Sequence, residues 1–207
     1  MLGKLIFSLL LLISPLVQAQ PAFTILFLGD SLTEGLGLEV EQTFPSLIKE
    51  RLLAEGFNNI TIINAGISGS TSASSLERMQ WYIRSQPDLV ILSMGANDGL
   101  RGLNVENMKN NLSATIEFAQ INDVKVVLTG MLTPPNMGVE YSSAFAQVFP
   151  DLATEYQLDF MPFLLQDVAG IAEFNQADGI HPNVEGSRIV ADHVYQFLLP
   201  LILQGSP

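Results

Sequence analysis

Cysteine is absent from the sequence, which removes disulfides, thiolate nucleophiles and cysteine-ligated metals together. Positive charge is scarce: 9 Lys and Arg stand against 21 Asp and Glu, a formal net charge of -12. Such a surface repels phosphate backbones and anionic membranes, which argues against a nucleic-acid partner. Histidine occurs only 2 times, so candidates for a general base are few. Charged residues amount to 14% against 48% hydrophobic, a balance that excludes the disordered class. What is present, 207 residues with a large apolar share, suits one compact domain around a single core.

The amino terminus has its own pattern. Lys4 supplies a short positive region, Leu5 to Leu12 is almost unbroken apolar sequence, and Pro15 interrupts it. Val17-Gln18-Ala19 then offers the spacing of a signal-peptidase site, which predicts a cleaved export signal over 1–19 and a domain over 20–207. The apolar stretch is too short to span a bilayer comfortably, and no later one approaches about 20 residues. With no cysteine after the cleavage site, no lipid anchor is expected. The expected product is a periplasmic or secreted protein, a monomer or weak oligomer, without a stable membrane anchor.

Beyond that point short apolar runs alternate with amphipathic ones. Thr24 to Leu28, Ile60 to Ile63, Leu89 to Leu92, Lys125 to Thr129 and a weaker run from Leu158 to Phe160 predict strands. Their continuous hydrophobicity predicts burial on both faces, as in a parallel sheet. Helical spacing appears over Phe44 to Glu55, Val105 to Gln120 (with Asn104 as N-cap), Ser142 to Tyr156 and Ser187 to Leu199. Alternating strands and helices predict an α/β fold with one parallel sheet covered on both faces.

Ligands of open parallel sheets bind beyond the carboxyl ends of the strands. Here those ends are rich in glycine and polar residues: Gly29-Asp30-Ser31-Leu32-Thr33, Asn64 to Gly69, Gly95-Ala96-Asn97-Asp98-Gly99 and, later, Asp178-Gly179-Ile180-His181-Pro182-Asn183. A hydroxyl nucleophile needs a base in contact, and the base needs a partner that sets its tautomer. His181 follows Asp178 by three residues, close enough for the carboxylate to accept from one ring nitrogen while the other faces a serine. His193 sits inside the last amphipathic stretch, where a solvated or satisfied role is expected. The Ser31 amide, a glycine amide of the second loop and the Asn97 side chain could serve as donors to an oxyanion. Each piece alone is weak, since Gly-Asp-Ser and Asn-Asp-Gly are also turn sequences. Asp30, Asp178 and His181 are in turn a credible set for a metal.

Taken together, these four blocks resemble those of the SGNH (GDSL) hydrolases, in order and spread over residues 29 to 182. The continuation Asn97-Asp98-Gly99-Leu100-Arg101-Gly102 is similar to the periplasmic arylesterase, thioesterase and lysophospholipase subgroup. The resemblance implies a flavodoxin-like three-layer α/β/α sandwich with five parallel strands. It implies Ser31 as nucleophile, His181 as base, Asp178 as orienting acid, and Ser31, Gly69 and Asn97 as oxyanion donors. It implies no cofactor and no metal. Thr33 stands where the Gly-x-Ser-x-Gly elbow of α/β-hydrolases has its last glycine, which separates the two families.

The expected reaction is hydrolysis of a small acyl ester or thioester through an acyl-serine. Neutral imidazole is required, so activity should fall in acid. Leu132 to Gly138 follows the fourth strand and resembles the loop bordering the acyl groove; Leu36, Pro134 and Met137 are the candidate substrate contacts. Trp81 and Tyr82 are expected in the core or at its rim. Three other readings stay open: a carbohydrate or small-acyl deacetylase on the same scaffold, a metal-dependent hydrolase, and a catalytically silent binding protein.

Overall fold

The computed structural model describes residues 22–205. The expected export signal over 1–19 lies outside the described residues. Strands β1 (Phe23–Gly29), β2 (Ile60–Gly66), β3 (Leu89–Ser93), β4 (Lys125–Thr129) and β5 (Asp159–Met161) alternate with helices. The helices are α1 (Ser31–Glu34), α2 (Phe44–Ala54), α3 (Ser75–Tyr82), α4 (Ala96–Leu100), α5 (Val105–Ile121), α6 (Val139–Glu155) and α7 (Val184–Gly205).

The five strands form one sheet in the order β2-β1-β3-β4-β5, and every pairing is parallel. Helix α2 packs on α7, whereas α5 packs on α3 and α6, so the two groups cover opposite faces. This is the expected α/β/α sandwich. Parallel pairing puts all strand carboxyl ends on one edge, where the polar loops gather.

The central strands explain the apolar runs. Every residue of β3 is buried, and Ile25 to Leu28 of β1 are fully enclosed. Phe27 reaches α2, meeting Phe44 edge to face with centroids 5.6 Å apart. The edge strand β2 departs from the expectation of burial on both faces. Thr61 and Asn64 are exposed and only Ile60 and Ala65 are buried, because one flank has no neighbouring strand.

Helix bounds differ from sequence periodicity where tertiary packing overrides it. Helix α6 begins at Val139, three residues before the expected start, directly after Gly138 at φ 85°. It also contains Pro150. Helix α7 starts at Val184 and runs past Pro200, because Leu198 and Ile202 stay fully buried on either side of that proline. Proline there forfeits one helical hydrogen bond without breaking a segment held by its apolar face. Asn104 caps α5 as expected, accepting from the Asn107 amide at 2.9 Å. Trp81 is neither core nor rim: it is 59% exposed, with the Arg84 guanidinium 3.6 Å from its ring centroid. Tyr82 packs partly buried against the core.

Candidate active site

Strand register brings the loops together. Gly29 at the end of β1 pairs with Gly66 of β2 and Ser93 of β3, so the first three strand-end loops are immediate neighbours. Gly66 can come so close because it lacks a side chain: a Cβ there would lie 2.0 Å from the Glu34 amide nitrogen.

The first loop turns straight into α1. Asp30 caps it, accepting from the Leu32 amide at 3.0 Å. Ser31 is therefore the first residue of the helix, where no preceding turn can accept its N–H. Its hydroxyl lies 2.9 Å from His181 Nε2. On the far side of the ring, Nδ1 is 2.6 Å from Asp178 Oδ2. The other Asp178 oxygen accepts from the amides of Ile180, at 2.9 Å, and His181, at 3.0 Å. The hydrogen bond from His181, then those from the two amides, hold the Asp178 carboxyl down at about 2. It stays ionised and keeps Nδ1 as the donor, which leaves Nε2 free to accept from Ser31. Gln176 ties this loop to the segment that follows α1, donating to Leu36 O at 2.7 Å and Pro182 O at 3.0 Å.

The second loop offers one unspent amide. Between Gly66 and Ser70 the N–H groups donate to Asn64 Oδ1, Gly29 O, Glu34 Oε2 and Ile67 O in turn, and only Gly69 N–H has no acceptor among the described residues. Gly69 has φ 76°, a conformation natural to glycine. From the third loop, Asn97 Nδ2 donates to Asp30 Oδ2 across 3.5 Å, a long contact that leaves donor capacity to spare. Two unspent backbone amides and one side-chain amide beside a base-linked hydroxyl can stabilise a tetrahedral oxyanion.

Asp30 itself is fully buried, and burial raises its carboxyl to about 6 against the Leu32 amide, His181, Arg78 and Asn97, which all act the other way. It does not join Asp178 and His181 in a ligand set. Its oxygens are engaged by Leu32 and Asn97, and no group of three His, Asp or Glu side chains suited to a metal occurs among the described residues. His193 lies outside the site, partly exposed on α7 with Nε2 3.6 Å from Asp167 and Nδ1 buried without a hydrogen-bond partner.

Next to Ser31 a cavity of about 400 Å³ is lined by Leu32, Ala96, Leu100, Pro134, Leu165 and Ile180 among others. Leu36 instead borders a small recess under Ser31 and His181. Met137 is not among the cavity's lining residues; its Cε approaches Gly102, 3.4 Å from where a Cβ would stand.

Two supporting residues escaped the sequence reading. Asp98 is buried and accepts from Ser72 N at 2.8 Å and Ser72 Oγ at 2.6 Å, fastening the third loop to the second. Arg78 reaches from α3 to donate to Gly29 O at 2.8 Å and to Ala65 O, spanning the ends of β1 and β2. Asp98 stood inside a recognised block; Arg78 lies in an ordinary amphipathic stretch and carried no signal.

Residues 27–189 match the GDSL-like lipase/acylhydrolase family. Esterase TesA of Pseudomonas aeruginosa is 37% identical over 188 residues, 90% of this chain and 93% of the relative. The arylesterase of Vibrio mimicus is 37% identical over 193 residues, covering 93% and 96%. Among solved structures, psychrotrophic esterase EstA of Pseudoalteromonas sp., inhibited by monoethylphosphonate, superposes with a TM-score of 0.82 at 34% identity, over 86% of this chain and 98% of the other.

Proposed function

Since this chain belongs to the GDSL-like lipase/acylhydrolase family, we propose that Ser31, His181 and Asp178 are its catalytic triad and that Ser31, Gly69 and Asn97 form its oxyanion hole. The enzyme is a hydrolase of carboxylic esters and thioesters, of the kind its relatives' names describe: esterase, arylesterase, thioesterase and lysophospholipase. The unbroken chain from the Asp178 carboxylate through the His181 ring to the Ser31 hydroxyl carries the assignment.

Ser31 Oγ attacks the acyl carbonyl while His181 Nε2 takes its proton. Asp178 stabilises the imidazolium so formed, and the oxyanion receives hydrogen bonds from the Ser31 and Gly69 amides and Asn97. His181 returns the proton to the leaving group, and water repeats the sequence on the acyl-serine. The apolar cavity takes the acyl or aryl group, with Pro134 and Ile180 on its wall. The protein works after export to the periplasm or medium as a single domain over 20–207. No helix among the described residues is long and apolar enough to cross a membrane.

Ser31→Ala is expected to abolish covalent labelling by a fluorophosphonate and turnover of p-nitrophenyl esters together. Labelling that persists at another serine would overturn the assignment.

A further inference from the structure

The Gly69 amide sits in a stretch with little to hold it. Ile67-Ser68-Gly69-Ser70-Thr71 has one large side chain, and that side chain, Ile67, is 50% exposed. A glycine at its centre samples many orientations unless the neighbouring peptides are pinned. An oxyanion donor stabilises charge best when it is already aimed and need not reorganise.

Two charged side chains supply the pins. Glu34, the last residue of α1, receives the Ser68 amide at 2.7 Å and also the Ser68 hydroxyl on the same carboxylate oxygen, Oε2. Arg101, just past α4, donates from Nη2 to Gly69 O at 2.8 Å. The peptide carrying Gly69 N–H joins Ser68 to Gly69. Glu34 grips the peptide before it, through Ser68 N–H, and Arg101 grips the one after it, through Gly69 C=O. The unspent N–H therefore lies on the one peptide plane between two fixed neighbours. Glu34 is carried by the same short helix that begins with Ser31, and Arg101 follows the helix that carries Asn97. The clamp thereby couples the second loop to the elements bearing the nucleophile and the other side-chain donor.

We propose that Glu34 and Arg101 are positioning residues for the Gly69 amide, holding the peptides on either side of it so that its N–H is aimed before substrate arrives. The proposal rests on Gly69 serving as an oxyanion donor. Neither side chain touches the reacting atoms; each acts through the loop backbone.

Steady-state kinetics of Glu34→Ala and Arg101→Met with a p-nitrophenyl ester test it. Each variant is expected to lose about tenfold in kcat, short of the 10² to 10³ that follows outright loss of a donor, with KM within about twofold. Affinity for a trifluoromethyl ketone, whose serine adduct places an oxyanion in the same hole, should fall by the same factor as kcat. Glu34→Gln keeps an acceptor and Arg101→Lys keeps a donor, so both should recover to within about threefold of the parent. Unchanged kcat in both truncations overturns the proposal, as does a loss of kcat with ketone affinity intact. If a truncation fails to fold, the conservative pair decides: rescue with parental ketone affinity supports the clamp, and a tenfold loss despite the retained hydrogen bond refutes it. Turnover by Ser31→Ala would instead show that the site has been misassigned, an outcome distinct from failure of the clamp.

Discussion

At the scale of single residues, burial and hydrogen bonding separate two aspartates that look alike in sequence. Asp178 sits among donors and is held at about 2, whereas Asp30 is enclosed and raised from 3.8 to about 6. A carboxyl raised in the folded state binds its proton more tightly folded than unfolded. Folding then takes up a proton between pH 3.8 and about 6, and stability declines as pH rises through that window. The loss attached to Asp30 should be roughly 3 kcal/mol, complete by about pH 7. Urea denaturation of Asp30→Asn beside the parent, at about pH 4 and pH 7, checks it: the parent should lose this component and the variant should not. The buried carboxylate is retained at that cost where it caps α1 and receives Asn97.

At the scale of elements, the cavity is built by segments with no common periodicity. Ala96 and Leu100 come from α4, Pro134 from the loop after β4, Leu165 and Ala169 from the loop after β5, and Ile180 from the loop that carries His181. These loops are stitched together at Gly130, which donates to Met161 O at 2.8 Å and accepts from Leu164 N at 3.1 Å. A wall made of loops can be altered without touching the sheet. Ala169→Trp should fill part of the cavity and lower kcat/KM for a long-chain p-nitrophenyl ester relative to the acetate by about tenfold, the scale on which hydrophobic pockets discriminate. An unchanged chain-length profile would place the acyl group elsewhere.

At the scale of the whole molecule, charge is unbalanced. Lysine and arginine form ion pairs such as Arg51 with Asp192 and Lys125 with Asp159, both on exposed side chains where such pairs add little. The excess of acidic groups therefore repels itself in the folded state. Raising salt from about 0.02 M to about 0.3 M should screen that repulsion and lift Tm by roughly 2 to 4 °C, near 1 kcal/mol. A fall in Tm would mean that the attractive pairs outweigh the repulsion.

The strands, their parallel pairing and the four polar loops were legible because each is a local pattern: apolar runs, and loops rich in glycine and polar residues. Ser31, Asn97, Asp178 and His181 were legible as candidates for the same reason, whereas Gly69 was singled out from its loop only by the family resemblance. The four-residue α1 and five-residue α4 were not, since so short a helix shows no period. Nor was the role of Arg78, Asp98, Glu34 or Arg101, whose partners lie 13 to 49, 26, 34 and 32 residues away. Chemistry of this kind is written into residue type and local spacing. Which amide stays unspent, and which side chains hold it still, is decided only when distant strand ends meet along one edge of the sheet.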